Sequence, residues 1–290
     1  MLLAAAVLFS TGGAAIKLAA MTGWQVASYR AIVAAVFLWI VLPGARAHIN
    51  RTTILGGVVY AAMVITFVLA NKMTTAANTM LLQSTAPIYL LLIGPVFLKE
   101  KLRPVDFLVV AAIIGGAVVL FSGTESRIAS APDPFGGNIV ALTSGVAWAL
   151  TIAVLRWIAK RHPKEESAET VVVLGNTIAF LIGLPMALRG PAPDLRSILV
   201  LLYLGLFQIG LAYICFTRSI RHVPAIDAST MLLIETVLTP IWAWMMQGER
   251  PSGRTIAGGA MILVATFAGS WFQAKVEVTP EEALSSPPQS

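Results

Sequence analysis

The run TTILGGVVYAAMVITFVLAN, residues 52–71, carries no formal charge. About 20 mainly apolar residues are what a helix needs to cross the hydrocarbon core of a bilayer. Blocks of this kind recur almost from end to end. We predict ten of them, at 2–21, 24–43, 53–71, 75–97, 104–122, 137–158, 169–188, 196–217, 225–247 and 254–273. Lipid offers no partner to backbone N–H and C=O groups, so an open-chain segment must satisfy them internally as a helix. Of the 290 residues 57% are hydrophobic and 12% charged, with a mean hydropathy of +0.82. A soluble domain of that length has too few polar residues to clothe such a surface. The expected fold class is an all-α integral membrane protein with ten transmembrane helices.

Pro43, Pro104, Pro185 and Pro224 fall at predicted span ends, where a missing N–H does no harm. The opening residues have no basic stretch and run straight into Lys17, so they read as a first span rather than a cleaved signal. Cys215, the single cysteine, excludes an intrachain disulfide. The net charge of +6 sits in inter-helix loops rather than along one face, which argues against nucleic acid. With the N-terminus cytoplasmic, inside loops hold twelve basic residues, from Arg46 to Lys275, and outside loops six, from Lys72 to Arg254. The positive-inside rule then places both termini in the cytoplasm of a multi-pass inner-membrane protein. The acidic, proline-rich tail 274–290 is expected to be disordered.

The tetrapeptide TMLL occurs at Thr79–Leu82 and again at Thr230–Leu233. Each copy opens an apolar stretch that closes on a glutamate, Glu100 or Glu249, followed by a glycine-bearing span, AAIIGGAVVLF or IAGGAMILVATFAG. Such a match in order suggests two repeats of five spans. Five is odd, so the second repeat must enter the membrane from the opposite side. Inverted repeats with a site near the midplane are a signature of secondary transporters.

The segments FSTGGAAIK…WQVASYRAIVAAVFLW and TTAANTMLLQSTAPIYLLLIGPVFLKEKLRPVDFLVVAAIIGGAVVLF, with HVPAIDASTMLLIETVLTPIWAWMMQGERPSGRTIAGGAMILVA, resemble EamA-type domains of the drug/metabolite transporter superfamily. The likeness covers nearly all of residues 1–273. It implies two inverted five-helix repeats, 1–122 and 137–273, joined by a linker at 123–136, and transport of small metabolites. Pro240 stands nearer to Glu249 than Pro87 does to Glu100, which is a departure in register.

Glu235 lies at the centre of the ninth span, where an ionised group costs about 2.5–3.5 kcal/mol. A carboxyl group shielded from water holds its proton more tightly, so it can load and unload protons near neutrality. We therefore assign Glu235 to proton or substrate coupling; the alternative is a packing ion pair with Lys17 or Arg30. Arg30 and Lys17 are candidates for a substrate carboxylate, although Lys17 can also snorkel to the interface. Trp148 sits too deep for an interfacial anchor and could stack on a substrate or cation, whereas Trp242 and Trp244 suit the aromatic belt. Asn78, Gln83, Tyr89, Gln208 and Tyr213 are further substrate candidates, with Asn71 and Asn176 as weaker ones; interhelical hydrogen bonding explains such residues equally well. Pro87, Pro95 and Pro240 are expected to kink their helices. Gly115, Gly116, Gly258 and Gly259 serve close helix packing, and Glu100 and Glu249 serve loop salt bridges or caps.

His48, His162 and His222 fall in separate loops without metal-ligand spacing, and no nucleotide-binding or nucleophile motif occurs. No metal, cofactor or enzymatic activity is expected. The leading reading is a secondary active transporter of a small polar, amino acid-like metabolite, working by alternating access with protons as a candidate coupling partner. The alternatives are an exporter of lipophilic organic cations, a passive channel, or an accessory membrane subunit.

Overall fold

The computed structural model describes residues 1–46, 49–97, 104–122, 127–161, 168–215 and 225–285. Its helices, in chain order, are α1 (Leu2–Ser10), α2 (Gly12–Leu18), α3 (Gly23–Val41), α4 (Arg51–Met73), α5 (Ala76–Gln83), α6 (Ala86–Phe97), α7 (Pro104–Phe121), α8 (Pro134–Arg161), α9 (Ala168–Ala187), α10 (Leu195–Tyr203), α11 (Ala225–Gln247) and α12 (Gly253–Ser285). A 3-10 turn spans Pro43–Arg46, and a π-helix, Leu204–Leu211, continues α10. Among the described residues there is no strand beyond one isolated bridge, Ile128 to Ala131. Six of the helical segments are each long and apolar enough to cross a membrane. The outer surface is apolar, as lipid requires: Leu108, Val118 and Val264 are all more than 60% exposed.

Two predicted spans are broken. The first splits into α1 and α2 at Thr11, where the Ser10 and Thr11 hydroxyls donate to the carbonyls of Val7 and Leu8 at 2.7 Å each. The second splits into α5 and α6 at Ser84 and Thr85, whose hydroxyls donate to Met80 and Leu82. Hydroxyls that take over helical carbonyls offer the backbone an alternative to the ladder. Pro87, having no N–H for the Gln83 carbonyl, fixes the second break. The other two kink candidates do not interrupt their helices: α6 runs through Pro95 and α11 through Pro240. Pro185, expected at a span end, lies inside α9. α12 continues through the segment expected to be disordered as far as Ser285, its Ala, Glu, Gln and Lys residues being good helix formers.

The pairings between the two halves of the chain follow a pattern. α3 packs on α9, α7 on α12 and α5 on α11; α4 packs on α8 and α9, while α10 and its π-helix pack on α2 and α3. α5 and α6 rest on α8, and α11 rests on α1 and α2. Exchange α1–α2 with α8, α3 with α9, α4 with the α10 segment, α5–α6 with α11 and α7 with α12. The pairings then map onto one another.

Glycines set the closest approaches. A Cβ on Gly116 would lie 2.6 Å from the Gly258 carbonyl oxygen, so α7 and α12 cross there backbone to backbone, and one on Gly259 would lie 2.6 Å from Leu81. Gly115 faces more open space, its nearest neighbour being Met261 at 3.4 Å. The main apolar core gathers Ile16, Val26, Leu38, Val64, Val171 and Leu204, from α2, α3, α4, α9 and the π-helix.

Candidate functional site

A buried polar seam runs through that core. Arg30, on α3, is only 3% exposed. Its Nη1 donates to the Oε1 of Gln208 at 3.4 Å, and its Nε is buried without a hydrogen-bond partner among the described residues. Gln208 comes from the π-helix, a form that recurs at functional sites because its extra residue re-aims the side chains. Two glycines admit it. Gly205 lies against the Arg30 carbonyl and Val33, and a Cβ on Gly12 would lie 2.8 Å from the Gln208 amide nitrogen.

Tyr60, on α4, stands next along the seam and is 1% exposed. Its hydroxyl accepts from the Nδ2 of Asn176, on α9, at 3.4 Å, and shares a hydrogen bond with the hydroxyl of Tyr213, either oxygen being able to donate. The two tyrosine rings meet edge to face, with centroids 6.1 Å apart. Tyr213 stacks edge-on against Phe9 of α1 at 5.4 Å. It also lies close enough to Glu235, on α11, to be coupled to it electrostatically, as Tyr60 is to Arg30. The seam therefore runs Gln208, Arg30, Tyr60, Tyr213, Glu235, drawing on helices from both halves. Glu235 itself is half-buried. Gly175 on α9 makes room for Tyr60, since a Cβ there would fall 2.8 Å from the tyrosine Cβ.

Lys17 belongs to a different cluster. Its ammonium lies 2.8 Å from the Oε1 of Glu249, both side chains being 3% exposed. It also donates to the carbonyls of Thr74, at 2.7 Å, and Ser130. Glu249 accepts from the backbone N–H of Ala76, the first residue of α5, at 2.9 Å. Lys17 is therefore neither a snorkelling anchor nor the counter-ion of Glu235. Asn78 sits beside this cluster, donating to Asn138, which also accepts from Thr74, and accepting from Thr255. At this end of the molecule the C-terminal ends of α2, α4 and α11 meet the N-terminal ends of α5, α8 and α12.

The remaining candidates are dispersed. Gln83 donates to Ser144 at 2.8 Å and so ties α5 to α8. Tyr89 lines an apolar groove of about 610 Å³ with Ile88, Ile114, Val118 and Phe121, a lipid-side feature with almost no polar lining. Trp148 is half-buried on α8. Trp242, expected in the aromatic belt, instead donates its indole N–H to Ser10 at 2.9 Å, while Trp244 is 55% exposed. Glu100, His48, His162 and His222 lie outside the described residues. Sequence reading missed Tyr60, although a tyrosine inside the predicted span 53–71 is the same kind of signal as Tyr213.

An apolar exterior around a buried guanidinium–phenol–carboxyl seam is the make-up of a membrane carrier, and the model of the EamA-like transporter family matches residues 1–122 and 135–270. The chain belongs to the EamA-like transporter family. It is 24% identical over 272 residues to the pseudopaline exporter CntI of Pseudomonas aeruginosa, covering 90% of this chain and 91% of that one. It is 25% identical over 235 residues to the human solute carrier family 35 member G1, covering 76% and 63%. A solved crystal structure with 19% identity superposes with a TM-score of 0.61 over 95% of this chain and 96% of its own, which shows the shared fold. This EamA-family chain is thus a multi-pass membrane transporter rather than an enzyme.

Proposed function

We propose that the chain is a secondary active transporter that moves a small, carboxylate-bearing, amino acid-like metabolite across the inner membrane by alternating access. One observation carries the reading. Arg30 is almost fully buried and, among the described residues, makes a single long hydrogen bond and has an unmatched Nε donor. A guanidinium in so dry a place needs an anion, because an uncompensated buried charge costs several kcal/mol. A substrate carboxylate supplies one, and the planar fork binds it through paired N–H groups. Arg30, Gln208 and Tyr60 are buried, so loading that end of the seam requires the helices to separate.

The two halves are read as inverted repeats with both termini cytoplasmic. The mutual mapping of the inter-half pairings supports this, as does the excess of basic residues in the loops assigned to the inside. On that topology the Lys17–Glu249 cluster seals the outer end. Glu235, coupled to Tyr213, is the proton-coupling group. Similarity to a pseudopaline exporter over nine-tenths of both chains supports outward transport.

The test is uptake into proteoliposomes with an imposed pH gradient. Arg30→Gln should abolish carboxylate transport, and Glu235→Gln should abolish the pH-driven component while leaving exchange. Undiminished pH-driven uptake by Glu235→Gln would remove that residue from the mechanism. Export of a lipophilic cation is the competing reading. It needs Glu235 and no arginine, so retained transport in the Arg30→Gln variant would favour it.

A further inference from the structure

The lipid-facing surface holds a second groove, of about 380 Å³, between α3 and the π-helix. Its lining is wholly apolar: Ile32, Val33, Val36, Phe37 and Ile40 from α3, and Leu206 from the π-helix. Val36 is 50% exposed and Ile40 60%, so the groove opens outward to the bilayer. From Ile32 to Ile40 the helix rises about 12 Å, against about 15 Å for half of a hydrocarbon core. Ile40 stands one residue short of the end of α3. The groove therefore follows one leaflet from its headgroup boundary towards the midplane, which is the path of a lipid acyl chain.

A cation stands at the headgroup end. Arg46, in the 3-10 turn that follows α3, is exposed. Its Nε donates to the Trp39 carbonyl at 3.2 Å and its Nη2 to the Ile40 carbonyl at 3.3 Å. Its guanidinium carbon lies 5.0 Å from the centre of the Trp39 ring. These contacts hold the guanidinium over the last turn of α3, at the residue where the groove ends, and leave the Nη1 donors for a further acceptor. Trp39, 52% exposed, suits the interfacial level at which headgroups lie. An arginine is well fitted to a phosphate. A zwitterionic headgroup brings its own cation beside the phosphate, which the guanidinium repels, whereas an anionic one does not.

We propose that this groove is a binding site for one anionic phospholipid, with its phosphate on Arg46 and an acyl chain lying along α3 against Leu206. The site also borders the transport seam. Val33 and Phe37 line the groove and seat the π-helix as well, since a Cβ on Gly205 would collide with Val33 and one on Gly210 with Phe37. Gln208, the partner of Arg30, lies between those two glycines. A chain in the groove thus buttresses the segment that carries Gln208. The proposal depends on the membrane placement of α3 and not on which substrate the seam carries.

The experiment is thermal unfolding of the purified full-length protein in detergent, with native mass spectrometry to count retained lipids and protomers. The additions are phosphatidylglycerol, phosphatidylcholine with the same chains, and inorganic phosphate. A ligand that binds only the folded state raises its melting temperature. Phosphatidylglycerol should be retained as one copy per protomer and bind about fivefold or more tighter than phosphatidylcholine, the effect of one arginine at a membrane surface. Inorganic phosphate should not stabilise the protein. Arg46→Gln should remove the preference between the two lipids, and Arg189→Gln, in the exposed turn after α9, should keep it. Val36→Trp, which fills the groove from an exposed position, should weaken both lipids. Melting of each variant without lipid shows that it folds. Equal binding of the two lipids, or a preference that survives Arg46→Gln, would overturn the proposal. So would equal loss of the preference in Arg189→Gln, which would trace it to net charge alone. Stabilisation by inorganic phosphate would assign Arg46 to a soluble anion, and paired protomers that Val36→Trp separates would assign the face to a second copy; either would overturn the lipid site.

Discussion

Lys17 and Glu249 stand 2.8 Å apart with both side chains buried, and each also binds the end of a helix that neither belongs to. The ammonium takes the Thr74 carbonyl at the C-terminus of α4, and the carboxylate takes the Ala76 N–H at the N-terminus of α5. The signs match the helix dipoles, a cation at the negative end and an anion at the positive end. Lys72 completes the exchange, donating from the last turn of α4 to the Ala19 carbonyl just past α2 at 2.7 Å.

Removing one member of this pair strands the other without water. Lys17→Met and Glu249→Gln should each destabilise the protein by about 3–5 kcal/mol in denaturant unfolding in detergent. Reversing both charges should not restore stability, because a carboxylate at position 17 would face two carbonyls. Full recovery by the double reversal would show that only the pair, and not the helix ends, holds this site together.

The Arg30 side chain is bound edge-on by the Gln208 oxygen. Arg30→Lys keeps the charge but loses the planar fork, so transport should fall well below wild type even though the fold survives. Kinetics in proteoliposomes would show the loss mainly as a raised KM. A KM unchanged from wild type would mean that the guanidinium does not touch the substrate.

Asp194 caps α10, accepting from the Ser197 N–H at 3.0 Å. The Ser197 hydroxyl and then its N–H hold the Asp194 carboxyl below its usual range. A carboxyl group with a lowered folded-state pKa adds stability above its unfolded-state value and loses it as pH falls through the folded one. The difference in melting temperature between wild type and Asp194→Ala should therefore be full near neutrality and shrink in acid. A difference independent of pH would show that the cap acts without its charge.

The α7–α12 crossing has no room for a side chain at Gly116. Gly116→Val should cost about 1–3 kcal/mol through overpacking against Gly258 and Ile262, while Gly115→Val should cost less, its neighbour being the flexible end of Met261. Comparable losses at the two positions would contradict the crossing described here.

Much of the site was legible as isolated residues. Glu235, Arg30 and Lys17 stand out because a charge within an apolar run demands an explanation, and Gln208 and Tyr213 because they are polar or amphipathic in the same setting. Which charge meets which was not legible. Lys17 lies more than two hundred residues from Glu249, and the sequence offered Glu235 rather than Glu249 as its ion-pair partner. Tyr60, a tyrosine within an apolar run like Tyr213, was passed over, and the approach of Gly175 and Asn176 reveals its part.

The membrane, the all-helical class and the family could be read from residues alone, because these follow from the length and composition of single segments and from motifs along the chain. Packing settled which polar groups lie side by side and which tie helix ends together. Hydrogen bonds and ion pairs act over about 3 Å, a distance that spacing along the chain does not encode once helices from opposite halves are packed side by side.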